Sequence, residues 1–398
     1  MLNRRELIKR LTALPFLGGI TSPEIYRPPS SLINGLGIRT FINAAGTYTA
    51  MSGSLMPEEV VEAIRTASAE FMMLDEVQTK VGERIAAITH AEAATVTAGC
   101  FSALTLGLAG VLTGTDPEKV KALPHLEGTG MKSEVILQKG HTNGYTQALT
   151  NTGCRLVYIE TREELEKAIG PQTALMWFLH IQSDKGQIGH EEWVSIARKH
   201  QIPTMIDIAA DVPPVENLWK FNDMGFDLVC ISGGKAMRGP QSAGILMGKK
   251  RYIEAARLSA PPRGSTIGRG MKVNKEEIIG MLAALERFVR LDHQKEWETW
   301  EKRVAHIESA AQKVSGVITT VTRPPLGNHT PTLKITWNPE KIRLSAEAFH
   351  EKLRWGNPSI EVASGGENAI SVTTWMLKPG QEKVVATRIY EILSEAKA

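Results

Sequence analysis

Along most of this chain, short runs of β-branched and apolar residues alternate with longer stretches of helical periodicity, and that alternation leaves few folds open. Strand-like runs fall at residues 94–97, 134–138, 155–159, 174–180, 204–208, 228–232 and 244–247. Helical runs at 57–70, 77–88, 102–112, 144–151, 163–169 and 191–200 lie before and between them. Each is long enough to carry the chain across a sheet and return it parallel to the strand before. The expectation is an α/β fold, with a mainly parallel sheet of about seven strands covered by helices on both faces.

Beyond about residue 274 the pattern changes. A long helical run reaches about 314, and strands near 318–322, 331–337, 360–363 and 369–373 then alternate with helices at 346–354 and 381–396. That is the pattern of a small α+β domain, and a chain of 398 residues exceeds the ~250–300 at which one core stops growing. The expected division is a leader and spacer over 1–30, a large domain with an N-terminal arm over 31–275, a connecting helix over 276–314 and a small C-terminal domain over 315–398.

The 46 basic and 43 acidic side chains are spread along the chain without a basic stripe, which argues against nucleic acid as a partner. Cys100, Cys154 and Cys230 show no close spacing, so neither a disulfide framework nor a zinc site is expected. No apolar run approaches the ~20 residues of a membrane-spanning helix, and no stable membrane insertion is expected. The segment Asn3-Arg4-Arg5-Glu6-Leu7-Ile8-Lys9, ahead of a weakly apolar stretch over 11–20, has the pattern of a twin-arginine export signal and points to a periplasmic or exported protein. Read instead as a short basic helix, the same segment leaves the protein in the cytoplasm. No clear A-x-A site follows it, so its removal is left open.

The chemistry concentrates in three short segments. Asp207-Ile208-Ala209-Ala210-Asp211 ends a strand, where open α/β sheets place their ligand sites. Ser232-Gly233-Gly234-Lys235-Ala236-Met237-Arg238-Gly239-Pro240 follows the next strand through a glycine turn that holds a lysine on constrained backbone. A desolvated lysine near positive charge gives up its proton and becomes a nucleophilic amine. In Thr97-Ala98-Gly99-Cys100-Phe101-Ser102-Ala103 a strand passes through glycine into a helix, presenting free N–H groups and a positive dipole end to an anion. Together these segments suit pyridoxal 5'-phosphate (PLP). Lys235 takes the aldehyde as a Schiff base and Asp207 pairs with the ring nitrogen. Gly99, Cys100 and Phe101 give backbone donors to the phosphate, with Ser232 adding a hydroxyl.

At these residues the chain resembles fold-type I PLP enzymes, and more narrowly the group of selenocysteine synthase and D-glucosaminate-6-phosphate ammonia-lyase. The resemblance runs from about Gly35 onward through Ile42-Asn43-Ala44-Ala45-Gly46-Thr47, Asp207-Ile208-Ala209-Ala210, Ser232-Gly233-Gly234-Lys235 and Gly268-Arg269-Gly270-Met271-Lys272-Val273-Asn274-Lys275-Glu276-Glu277. It implies an aspartate aminotransferase-like large domain, a small C-terminal domain, and active sites at the interface of a homodimer or an assembly of dimers. It further implies that His141 lies over the PLP ring. Arg263 and Arg269 would meet an acidic substrate or a neighbouring subunit. Asn43, Thr47, Gln182 and Gln241 are the remaining candidates on the substrate side.

Of the two activities in that group, the near-neutral charge balance and the lack of a basic extension disfavour tRNA as a substrate. The expectation is a lyase. Lys235 or a neighbouring group removes the α-proton of an amino acid with a β-hydroxyl, such as a glucosaminate. Loss of that hydroxyl releases ammonia and a 2-keto-3-deoxy acid, with Arg263 or Arg269 holding the carboxylate. A requirement for a 6-phosphate is not carried over to an exported protein. The same carbanion serves a racemase or epimerase and an aminotransferase, and these stay open, as does a non-catalytic protein of the same fold. No metal is expected.

Overall fold

The computed structural model describes residues 29–397, so the twin-arginine segment lies outside the described residues. Within the segment ending at Thr40, Pro29–Gly35 forms a short helix. From Phe41 onward a brief strand, β1 (Ile42–Ala44), comes first. The alternating region then supplies β2 (Ala93–Thr97), β3 (Glu134–Gln138), β4 (Arg155–Ile159), β5 (Thr173–Leu179), β6 (Thr204–Asp207), β7 (Leu228–Ser232) and β8 (Gly244–Gly248).

These last seven strands form one sheet in the order β2-β8-β7-β6-β5-β3-β4. Every pair from β7 to β4 is parallel, whereas β8 runs antiparallel to both of its neighbours. β5 reads Thr-Ala-Leu-Met-Trp-Phe-Leu and is buried along its whole length. A strand covered on both faces has no solvent side for polar residues, which is why it shows a continuous apolar run rather than an alternation. One face packs Phe178, Trp193, Phe221 and Phe226. The other packs the helix Gly99–Thr113. That helix is apolar on nearly every side because it lies between the sheet and the helix Lys250–Leu258, as expected of a fully buried helix.

β2 stands at the sheet's edge, and its outward backbone is satisfied by a side chain. Gln78 donates to the Val96 carbonyl at 2.8 Å and accepts from the Val96 N–H at 3.0 Å and the Thr95 hydroxyl at 2.8 Å. The amide thus stands in for a missing strand, a direct answer to the need to pair buried backbone groups.

The second sheet comprises β9 (Val317–Thr322), β10 (Thr332–Trp337), β11 (Ile360–Gly366) and β12 (Ala369–Thr373). Its order is β1-β11-β12-β10-β9, with β1 parallel to β11 and the other pairs antiparallel. β1 was not expected as a strand, since three residues carry no measurable period. It takes its conformation from pairing Ile42 with Ile360 and Ala44 with Val362. The N-terminal motif therefore joins the C-terminal sheet, and the division expected at 275 and 314 is crossed by the chain itself.

Two helical expectations also change. The single run over 274–314 is two helices, Lys275–Arg290 and His293–Ala311. The break falls where the Asp292 carboxylate accepts from the Lys295 N–H at 3.0 Å and caps the second helix, a stop-and-start signal that periodicity alone overlooks. The stretch 144–151 holds only a 3-10 turn, Gly144–Thr146, and one α-turn, Gln147–Thr150. Helices at Asn217–Met224 and Lys250–Leu258 add to those expected.

Candidate active site

Parallel pairing of β6 with β7 puts Asp207 in register with Cys230, so both strands end at the same edge of the sheet. The turn after β7 is bonded to itself. Gly233 N–H donates to the Ala243 carbonyl, Arg238 N–H to the Lys235 carbonyl and Gly239 N–H to the Gly233 carbonyl, each at 2.9 Å. Lys235 is thereby held at the carboxyl ends of the parallel strands, where it lines a cleft of about 480 Å³. The first wall comes from residues 45–49, and the facing wall from the loop 324–332 and the strand end 371–375.

Asp207 is almost fully buried. Both of its hydrogen bonds fall on Oδ1, from the Ala209 N–H at 2.9 Å and the Cys100 thiol at 3.6 Å. Burial pushes its carboxyl above the usual range, while the Ala209 N–H and the Lys235 charge pull it down. A buried carboxylate of this kind needs a cation to remain ionised. Cys100 is no rival nucleophile, because burial first and the Asp207 charge second push its thiol well up.

The helix Gly99–Thr113 begins beside this acid. Ala98 offers no side-chain cap, so the first-turn N–H groups stay available to an anion. Gly99 has φ +81°, a backbone that only glycine adopts without strain. Gly244 of β8 lets the sheet lie directly beneath, since a Cβ there would sit 2.5 Å from the Gly99 carbonyl carbon. An uncapped helix start, a buried acid short of a cation and a lysine facing open space match the phosphate, ring nitrogen and aldehyde of PLP. The residues fit that cofactor.

Several expected roles change once side chains are in place. His141 is wholly buried, with its ring edge-on to Phe178 at 4.4 Å and Nδ1 accepting from the Leu179 N–H at 3.3 Å. Phe178 belongs to the core on the face of the sheet away from Cys100, and His141 is not among the residues that line the cleft. Burial and the neighbouring His190 lower its pKa to about 4. Tyr145, four positions on in sequence, lines the cleft instead and is 62% exposed.

Asn43 is committed to its own turn. Its side-chain oxygen accepts from the Ala45 and Gly46 N–H groups at 3.0 Å, and its amide donates to the Gly46 carbonyl at 2.8 Å. Gln241 donates to the Thr49 carbonyl at 3.1 Å and pins the first wall to the lysine turn. Thr47 does line the cleft, whereas Gln182 lies beside it, next to Ile181 of the lining. Arg263 is ion-paired with Asp75 at 2.7 Å, and Arg269 is exposed; neither lines the cleft of its own chain.

Sequence reasoning missed the residues that close the cleft. The Asp211 carboxylate accepts from the Gly327 N–H at 2.9 Å, and the Ala210 carbonyl accepts from the Asn328 N–H at 2.6 Å. Together they latch the loop 324–332 onto the segment after β6. Arg238 donates to the Trp375 carbonyl and ties the lysine turn to the end of β12. The signal that could have found Asp211 was its place four residues beyond Asp207 on the same loop.

Comparison with known proteins agrees with this geometry. The family model for aminotransferase class-V matches residues 149–267. The D-glucosaminate-6-phosphate ammonia lyase of Salmonella typhimurium is 27% identical over 94% of this chain and 99% of its own length. The solved structure of a D-glucosaminate-6-phosphate ammonia-lyase superposes with a TM-score of 0.78 at 25% identity, covering 92% of this chain and 98% of that one. A 5'-C-glycyluridine monooxygenase-decarboxylase of Streptomyces is 26% identical over 90% of this chain and 91% of its own. An L-seryl-tRNA(Sec) selenium transferase of Maridesulfovibrio salexigens is 27% identical over 64% of this chain and 56% of its own. Fold, site and likeness define a fold-type I PLP-dependent enzyme. Within that class the chain is similar to the ammonia lyase and the selenium transferase, and it is ammonia-lyase-like.

Two outcomes follow from the geometry. The visible absorption band of the lysine-linked cofactor, seen in the wild type after addition of PLP, should vanish in Lys235→Ala; a band that persists would show that another residue carries the cofactor. The second concerns Asp211. Burial raises its pKa to about 7, the nearby Asp207 charge adding to the effect and the Gly327 N–H and Lys235 opposing it. An unfolded aspartate titrates near ~3.9, so the folded state binds the proton more tightly. The associated stability is complete below about pH 4 and is lost as pH rises toward about 7. Asp211→Asn keeps an oxygen for Gly327 and removes this loss. In the cofactor-free protein its Tm relative to wild type should climb between pH 5 and pH 8, and a difference that does not vary with pH would contradict the assignment.

Proposed function

We propose that this protein is a PLP-dependent ammonia-lyase acting on a small α-amino acid with a β-hydroxyl, of the amino-sugar acid class. The observation that carries the reading is a cleft in which Lys235 is the one cation among the described lining residues, set beside a buried acid and otherwise walled largely by hydroxyl groups. Bound there, PLP supplies the electron sink that makes an amino acid's α-proton labile. Lys235 Nζ takes the α-proton as a general base and hands a proton to the departing β-hydroxyl, which leaves as water. Asp207 keeps a negative charge against the ring nitrogen. Hydrolysis of the resulting enamine gives ammonia and the keto acid, so atoms balance without an oxidant.

Incubation of the PLP-loaded enzyme with D-glucosaminate should release ammonia and a 2-keto-3-deoxy acid in equal amounts. Lys235→Ala should lower the rate by on the order of a thousandfold or more, the scale of a lost general base. An inverted amino acid as sole product would make the enzyme a racemase, and an amine left on the cofactor without free ammonia an aminotransferase.

The reading includes a homodimer. Phe71, Met73 and Leu55 are 105%, 76% and 64% exposed, with Met56 and Met72 beside them in sequence, and large apolar side chains so exposed suit burial against a second subunit. Light scattering should give twice the mass of one chain for the wild type and the monomer mass for Phe71→Asp. A monomeric wild type overturns this part.

A further inference from the structure

The cleft beside Lys235 holds four buried hydrogen-bonding atoms without a partner: Thr47 Oγ1, Thr330 Oγ1, Thr373 Oγ1 and Trp375 Nε1. Folded proteins leave few such atoms unpaired, and those that remain call for a ligand or water. Here they share one cleft. Thr330 and Trp375 are each 1% exposed, so the unpaired groups belong to the built interior of the wall. The indole N–H can only donate, and it needs an oxygen to receive its hydrogen.

Trp375 is fixed from behind. Its carbonyl accepts from Arg238, and the flanking Leu377 and Thr374 carbonyls accept from Arg303 Nη1 at 2.9 and 3.4 Å. The Thr374 hydroxyl donates to the Trp300 carbonyl at 3.1 Å, and the Trp300 ring lies edge-on to Trp375. Two arginines and a second tryptophan thus hold the indole in place while its nitrogen stays unused. Pre-organised donors of this kind bind without an ordering cost at the moment of contact.

Gly46 borders two of these atoms: a Cβ on it would lie in ordinary contact, 3.8 Å from Trp375 Nε1 and 3.9 Å from Thr373 Oγ1, and its φ of +131° favours glycine. Asn43 secures that turn through its three hydrogen bonds. Thr332, Ser364 and Ser371 bring further hydroxyls to the lining, and neither arginine nor a carboxylate stands among the described lining residues. Among the described lining residues of one chain, Lys235 is the only cation a phosphate dianion would meet.

We propose that Thr47, Thr330, Thr373 and Trp375 form a specificity subsite for the uncharged, hydroxyl-bearing chain of an unphosphorylated polyhydroxy amino acid. The proposal rests on the lyase reading for the amino-acid end of the substrate and extends it to the distal end. The hydroxyls of such a chain both donate and accept, which suits threonine side chains. An oxygen of the same chain takes the Trp375 hydrogen.

The test is calorimetric titration of the PLP-loaded enzyme with D-gluconate, hexanoate and 6-phospho-D-gluconate. None carries an amine, so binding is read apart from catalysis. D-gluconate should bind at least tenfold more tightly than hexanoate, which presents the same carboxylate without hydroxyls, and more tightly than the 6-phosphate. Thr373→Val and Trp375→Phe should each weaken D-gluconate by about five- to tenfold, the scale of one lost hydrogen bond. They should leave hexanoate unchanged, with the visible cofactor band intact as the control for folding, and Thr373→Ser should restore affinity. Equal binding of hexanoate and D-gluconate, tighter binding of the 6-phosphate, or unaffected variants would each overturn the subsite. Ammonia release from D-glucosaminate separates the two claims. Release with no preference for D-gluconate sinks the subsite alone, and the D-gluconate pattern without release sinks the lyase alone.

Discussion

The site depends on a carboxylate that the fold makes costly to keep charged. Asp207 ends a strand inside a covered sheet, where burial drives its carboxyl toward the neutral form and one backbone N–H, the Lys235 charge and one thiol oppose it. A cation must complete the arrangement. The protonated ring nitrogen of PLP, held against Asp207, would provide one. Lys235, the uncapped start of the helix Gly99–Thr113 and the glycine beneath it at 244 are arranged around that need.

The cleft exists because the chain folds back on its own beginning. β1 lies against β11 and carries residues 45–49 to the mouth. The loop 324–332 is latched to the segment after β6, and Arg238 ties the lysine turn to the end of β12. The walls thus come from three stretches far apart in sequence and held by few bonds each. Few contacts must break for such a latch to part. Asp211, a carboxyl pushed up to about 7, sits within that latch and makes its strength a function of pH near neutrality.

Much of the fold was legible because its signals are local. The boundaries of β3, β4, β7 and β12 were read as they stand, since each is a β-branched or apolar run ended by a turn. Lys235 and Asp207 were legible for a similar reason, each following such a run in a segment whose residue types suit one chemistry. β1 was invisible because its pairing partner lies some three hundred residues away. The break at Asp292 was missed because capping competes with periodicity over a single residue.

His141 shows where sequence reasoning fails at a site. A histidine after a strand has the same sequence appearance whether it faces a cofactor or the opposite core, and the turn geometry that put it against Phe178 is set by packing. Asn43 and Arg263 look like binding residues until a turn and an acid claim them. Trp375 and Thr373 carry no motif at all, and their meaning lies in what they fail to contact. The sequence by itself determined the α/β class, the strand ends and the lysine and acid placed there, because period and turn chemistry act between near neighbours. Only the tertiary structure decided which polar groups are used up and which are left facing the cleft, because pairing between distant segments distributes the hydrogen bonds.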